Sequence, residues 1–191
     1  MSESVRTIKN VEIYMATMRW SGDMTIPASL RVSDFLNNDT RRFLNLIQAT
    51  VVHLSDTIQN ISYALEEVVI NKSGVIAVVL RIEPARGHAI PSYRVPKTPH
   101  RVMLYAPPFC MSGDVYHTAV GRPIDTLEHQ KNEFLVMTDV TLWQIAARTP
   151  LGTGIEFAAV NRQWIAAMHS LPQKERQQAS SFWNVPRKPG G

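Results

Sequence analysis

The segment VEIYMATMRWSGD, residues 11–23, returns 91 positions later as VMLYAPPFCMSGD, residues 102–114. Val11 meets Val102, Tyr14 meets Tyr105, and Ser21-Gly22-Asp23 meets Ser112-Gly113-Asp114. The same offset carries Ala28 to Ala119, Arg31 to Arg122, Asp34 to Asp125, Leu36 to Leu127, Phe43-Leu44 to Phe134-Leu135 and Thr50 to Thr141. These are twelve identities without a gap. After a small length change, Asn71-Lys72 falls on Asn161-Arg162 and Ile76-Ala77 on Ile165-Ala166. Self-similarity at a fixed spacing implies one structural unit used twice. The chain divides into an N-terminal arm (1–10), a first copy (11–82), a Pro-rich basic linker (83–101), a second copy (102–170) and a tail (171–191).

The unit reads as strands. Val11, Ile13 and Met15 alternate with Glu12 and Tyr14, a period of two. Trp20–Ile26 gives a second strand, in which Gly22 marks a bend or a close backbone approach. Phe43–Leu54 is a third, rich in Leu, Val and Thr. Glu67–Ile70 and Val75–Leu80 form a closing pair around the tight turn Asn71-Lys72-Ser73-Gly74. Between the second and third strands, Arg31-Val-Ser-Asp-Phe-Leu-Asn37 reads as a short helical turn with Ser33 as its cap. Five short strands and one turn of helix predict a mainly β chain of two tandem small five-stranded barrels.

A unit of about 70 residues buries only a modest core, so the copies are expected to pack on each other or on other chains. The net charge of +4 is unevenly spread. Both copies are slightly acidic, while the arm, the linker and the tail carry the excess Lys and Arg. Basic character confined to connecting segments is weak support for a nucleic-acid face. No apolar run reaches the ~18 residues of a membrane span, and the N-terminus carries no signal-peptide pattern. The lone cysteine, Cys110, lies between Phe109 and Met111 and reads as a buried thiol in a reducing cytoplasm. Pro84, Pro91, Pro96 and Pro99 give the linker an extended, strap-like reading.

The strand pattern resembles the Sm-like (LSm/Hfq-type) small barrel. The shared features are a first strand of the form Val-x-Ile-Tyr, a second strand bent at a glycine, and a closing pair joined by a turn with a basic residue. These correspond to Val11–Tyr14, Gly22 and Lys72 in the first copy, and to Val102–Tyr105, Gly113 and Arg162 in the second. The chain also resembles an uncharacterised bacterial family marked by an Arg-Leu-Ser-Asp-Phe-Leu-Asn segment, here Arg31–Asn37 with the degenerate partner Arg122–Glu128. The first resemblance implies an RNA pocket at Asp34, Asn37 and Lys72, and at Asp125 and Arg162. The chain departs from that pattern. Its segment from Gly22 to Phe43 is longer, the basic-Gly pair of the closing turn is Lys72-Ser73 and Arg162-Gln163, and Glu128 stands where the first copy has Asn37.

Little else speaks for chemistry. Arg31 and Asp34 recur as Arg122 and Asp125, a spacing that suits a local ion pair or a cap. Glu66-Glu67 opens a strand, so the two carboxylates face opposite ways. The six histidines have no counterparts between copies and no metal-ligand spacing. Trp20, Trp143 and Trp164 read as strand residues of the core. No nucleophile motif, Gly-rich phosphate loop or cofactor signature is present, so no catalytic residue, metal or cofactor is expected. The expected role is non-catalytic: an interaction or assembly module that binds a protein partner or itself and does not enter a membrane. Phe182 and Trp183 are the candidate partner-binding residues. The alternative is RNA or single-stranded nucleic-acid binding through Lys72, Arg162, Arg94 and Lys97. A third is a ligand sensor or enzyme with a pocket between the lobes.

Overall fold

The computed structural model describes residues 5–38, 40–54, 62–81, 98–117, 127–128, 131–147 and 150–171. The first half contains β1 (Arg6–Tyr14), β2 (Met18–Pro27), α1 (Val32–Leu36), β3 (Phe43–His53), β4 (Ser62–Asn71), a 3-10 turn (Lys72–Gly74) and β5 (Ala77–Leu80). The second contains β6 (Thr98–Ala106), β7 (Phe109–His117), β8 (Phe134–Gln144), β9 (Pro150–Ile155), β10 (Ala158–Asn161), a 3-10 turn (Arg162–Trp164) and β11 (Ala167–Ser170).

The chain is mainly β, as the alternation requires, but it does not form two closed barrels. Its strands build one eleven-stranded sheet in the order β11-β6-β7-β8-β10-β5-β1-β2-β3-β4, with β9 attached to β8. The cause is the short strand β5. One of its edges pairs with β1 and the other with β10, both antiparallel. The run of neighbours therefore passes from one half into the other instead of closing within each. It stops at β4 on one side and β11 on the other.

Equivalent irregularities occur at the 91-residue spacing. The β2–β3 ladder shifts register between Ser21 and Asp23, and the β7–β8 ladder between Ser112 and Asp114. Opposite these shifts, Gln48 and Asp139 both have φ near +50°. An extra residue in left-handed conformation is a device for bending a strand. The two glycines are needed there for space. A Cβ on Gly22 would stand 3.1 Å from the Ile47 carbonyl oxygen, and one on Gly113 would stand 2.8 Å from Val140 Cγ2. Loop hydrogen bonds recur as well. Leu54 N donates to Thr17 O, as Ile145 N does to Pro108 O, and Lys72 N donates to Arg42 O, as Arg162 N does to Glu133 O.

The two cores interleave. Phe134 and Ala159 of the second half pack in a cluster with Val11, Ile13, Leu36, Leu44 and Val78. Tyr14, Ile76, Ala77 and Val79 of the first half pack in a cluster with Val102, Phe109, Met111 and Leu142. Each half thus supplies apolar side chains that the other needs covered.

Several local expectations are corrected. β1 starts at Arg6, inside the expected arm, and β6 starts at Thr98, inside the expected linker. Pro99 is tolerated because β11 pairs with β6 only over 102–105, so that edge of the strand needs no donor at Pro99. β4 is ten residues long and holds Glu66 and Glu67 in its middle. Arg31, not Ser33, is the cap residue of α1, and it makes no side-chain cap bond. Trp164 lies in a 3-10 turn rather than a strand. In the closing segment Ile76 N donates to Tyr14 O and Ala166 N to Tyr105 O, so Ala166, not Ile165, is the counterpart of Ile76.

Candidate interaction edges

The seam between the halves is built from backbone pairing and then locked by side chains. Ala158, Ala159 and Val160 oppose Val79, Val78 and Ala77, and all six side chains are buried. Asn161 continues the ladder by donating its N–H to Ile76 O at 2.9 Å. Its side-chain oxygen accepts from Gln163 N at 3.1 Å, and its Nδ2 donates to Lys72 O at 3.3 Å across the seam. Gln163 Nε2 and Trp164 Nε1 both donate to Ser73 O. From α1, Asn37 reaches the start of β8 and grips the main chain of Phe134. It accepts the N–H at 2.7 Å and donates to the carbonyl at 3.3 Å.

Lys72 is the charged group of this seam. Only 2 % exposed, it pairs with Glu133 at 2.7 Å and lies over the Phe134 ring at 5.7 Å. A buried ammonium is tolerable only with such partners. Its charge is committed inside the protein. Arg162, its counterpart, donates to the carbonyls of Leu127 and Asn132 in its own half.

At the two ends of the sheet the strands that correspond to the seam are uncovered. Phe43 is 56 % exposed, whereas Phe134 is 1 % exposed; Val69 is 62 % exposed, whereas Ala159 is fully buried. Tyr63 and Leu65 add to the apolar stripe on β4. At the other end β11 carries exposed Ala167, His169 and Ser170, where β5 has buried Ala77, Val79 and Leu80. A long edge strand with unpaired backbone groups and apolar side chains is a template for a further strand.

A second polar cluster lies beside the seam. Glu12 is buried and accepts the Tyr14 hydroxyl at 3.0 Å and Arg81 at 2.5 Å, with Arg19 at 3.5 Å. Burial first, and then the neighbouring Glu12 carboxylate, pushes the Tyr14 hydroxyl well above the usual phenol range. The hydrogen bond to Glu12 holds the Arg81 guanidinium more firmly protonated. Glu12 and Arg81 line an open cavity of about 430 Å³ with Gly152, Gly154 and Phe157. The second half replaces Glu12, Arg19 and Arg81 by Met103, Cys110 and Leu171. These form an apolar group with Trp143. Burial pushes the Cys110 thiol up to about 11.

The other residues that the sequence singles out are scattered. Arg31 and Asp34 are exposed on α1, and Asp34 meets Ser33 rather than forming an ion pair with Arg31 among the described residues. Arg122, Asp125, Arg94, Lys97, Phe182 and Trp183 lie outside the described residues. Among the described residues no three His, Cys, Asp or Glu side chains converge in a metal-binding geometry. No described helix is long and apolar enough to cross a membrane. Sequence reasoning missed Asn37 and Asn161 as seam residues and Val69 and Phe43 as an uncovered surface. The available signal was the matching of positions at the 91-residue spacing, since Phe43 and Phe134 are identical residues in different environments. Comparisons with protein families, curated proteins and solved structures return no match for this chain.

Proposed function

We propose that this protein is a non-catalytic assembly module, made from a duplicated Sm-like unit, that takes a partner strand on an open sheet edge. The observation that carries this reading is β4: ten residues long, at the end of the sheet, with Tyr63, Leu65 and Val69 exposed and Phe43 beside them. Contiguous apolar surface on a strand edge is costly in water and is relieved by β-augmentation. The shared bulges and loop bonds support descent of the two halves from one unit. A reducing cytoplasm suits the buried lone thiol. The nucleic-acid reading rests on Arg94, Lys97 and the basic connecting segments, since Lys72 is committed to Glu133.

The test is a photo-crosslinking side chain placed at Val69 and, as a control, at exposed Asp139, in cells and in purified protein. Adducts at Val69 in clear excess over Asp139 are expected. Equal labelling at both positions would overturn the reading.

A further inference from the structure

The cavity beside the seam is walled by both halves. Glu12 of β1 and Val79, Leu80 and Arg81 at the end of β5 form one side; residues 152–157, from β9 and the turn into β10, form the other. Leu80 N donates to Phe157 O at 3.2 Å and ties the two sides together. The volume of about 430 Å³ falls within the roughly 300–1,000 Å³ usual for small-molecule sites. We propose that this cavity binds a small organic carboxylate with an apolar body, held by the Arg81 guanidinium and packed against Leu80, Ile155 and Phe157. The proposal goes beyond the edge-docking role and does not rest on it.

Charge, donor geometry and the comparison of the two halves all favour such a ligand. The group of Glu12, Arg19 and Arg81 sets two guanidiniums against one carboxylate, and the Tyr14 hydroxyl that also meets Glu12 is neutral. An anion balances the excess. Glu12 has little left to offer, since Tyr14, Arg19 and Arg81 surround its two oxygens. Arg81 has more. A guanidinium carries five N–H donors, the Arg81 side chain is half exposed, and among the described residues Glu12 is the one side chain it binds. Its planar fork matches a carboxylate through two parallel hydrogen bonds. The other ionisable group on the wall, Glu156, is exposed, so water screens its repulsion of an anion. Gly152 and Gly154 bring bare main chain to the wall, and a Cβ on Gly154 would meet nothing within 4 Å. The fold itself does not require the ionic group. At the equivalent place the second half packs Met103, Cys110 and Leu171 with Trp143, and apolar packing is commonly at least as stabilising as a buried ion pair. The charged set stands in the half whose seam side opens into the cavity.

The experiment titrates the full chain with hydrocinnamate and isocaproate, and with their neutral amides, followed by backbone amide chemical shifts and thermal melts. Both acids are expected to move the resonances of Leu80, Arg81, Gly154 and Ile155 at millimolar concentration and to raise the melting temperature. The neutral amides, which bring no charge to Arg81, bind about tenfold more weakly or worse. Two variants locate the site. Arg81→Leu copies Leu171 of the second half at a half-exposed position. Thr153→Trp fills the cavity from an exposed position and leaves the ionic group intact. Each is expected to weaken the acids by about tenfold or more, while Glu66→Gln, an exposed change on β4, leaves binding unaltered. Circular dichroism checks folding, and if Arg81→Leu does not fold, Thr153→Trp and the difference between acid and amide decide. Acids that leave those four resonances unmoved at about 10 mM overturn the proposal. So do amides that bind as well as the acids, and binding that survives either cavity substitution at full strength.

Discussion

Glu12 stands in a strand whose alternation gives no hint that both of its faces are covered. Around its carboxylate, the Tyr14 hydroxyl and two guanidinium groups compensate a charge that is almost wholly out of water. Removing that charge leaves Arg19 uncompensated next to the seam. Glu12→Gln is expected to lower the unfolding free energy by about 2 kcal/mol, read from urea titration, with the slope unchanged. Two other groups set the alkaline limit. Tyr14 and Cys110 both have pKa values raised by burial. In the unfolded chain they ionise near about pH 10 and about pH 8.5, while in the folded chain they stay neutral. The unfolded state therefore loses protons first as pH rises, and stability is full below about pH 8 and falls above about pH 9. A thermal-melt series from about pH 7 to about pH 11 checks this, and Tyr14→Phe should flatten the portion above about pH 10. In the same series, Cys110 should resist alkylation at about pH 8 until the protein is unfolded.

Among elements, the two 3-10 turns allow a comparison of one device in two settings. Asn71 and Asn161 cap their turns alike, each accepting a backbone N–H two residues on. Asn161 is buried and also bridges the seam, whereas Asn71 is exposed. Asn161→Ala should cost about 2 kcal/mol, since it removes both the cap on Gln163 N and the buried bond across the seam to Lys72 O, and Asn71→Ala about 1 kcal/mol for the lost cap. Chemical denaturation of the two variants separates them. β1, β2 and β3 are legible in the sequence because one side of each carries alternating apolar residues and Gly22 and Gly113 mark the bend. The full length of β4 is not, because Ser62–Glu66 is exposed on both faces and carries no burial pattern. The split of its counterpart into β9 and β10 is also hidden. Gly154, at φ +63°, lies near that break, and glycine in a strand pattern does not by itself say where pairing stops. The β5–β10 seam is illegible for a different reason. It joins residues about eighty positions apart, and nothing local in Ala77-Val78-Val79 specifies a second neighbour.

Across the whole molecule, interleaved cores imply that neither half unfolds alone. Phe134 and Ala159 lie in the first cluster, Tyr14 and Ile76 in the second, and β5 serves both. Native-state hydrogen exchange should give the amides of Ile13 and Leu104 the same opening free energy, equal to the global value from denaturant melts. A first half that opens several kcal/mol more easily than the second would count against this coupling. The identities at one spacing are legible in the sequence, but the environments of the residues that carry them are not. Equal residues at the repeat spacing, such as Phe43 and Phe134, differ in exposure because one half has a neighbour on that side within the chain and the other does not.

The covalent fusion of the halves has a consequence for concentration. The contact between Ala77–Val79 and Ala158–Val160 is held within one polypeptide, so dilution cannot separate its partners as it would two free subunits. The strength of that contact is therefore written in the sequence alone and does not depend on how much of the protein is made.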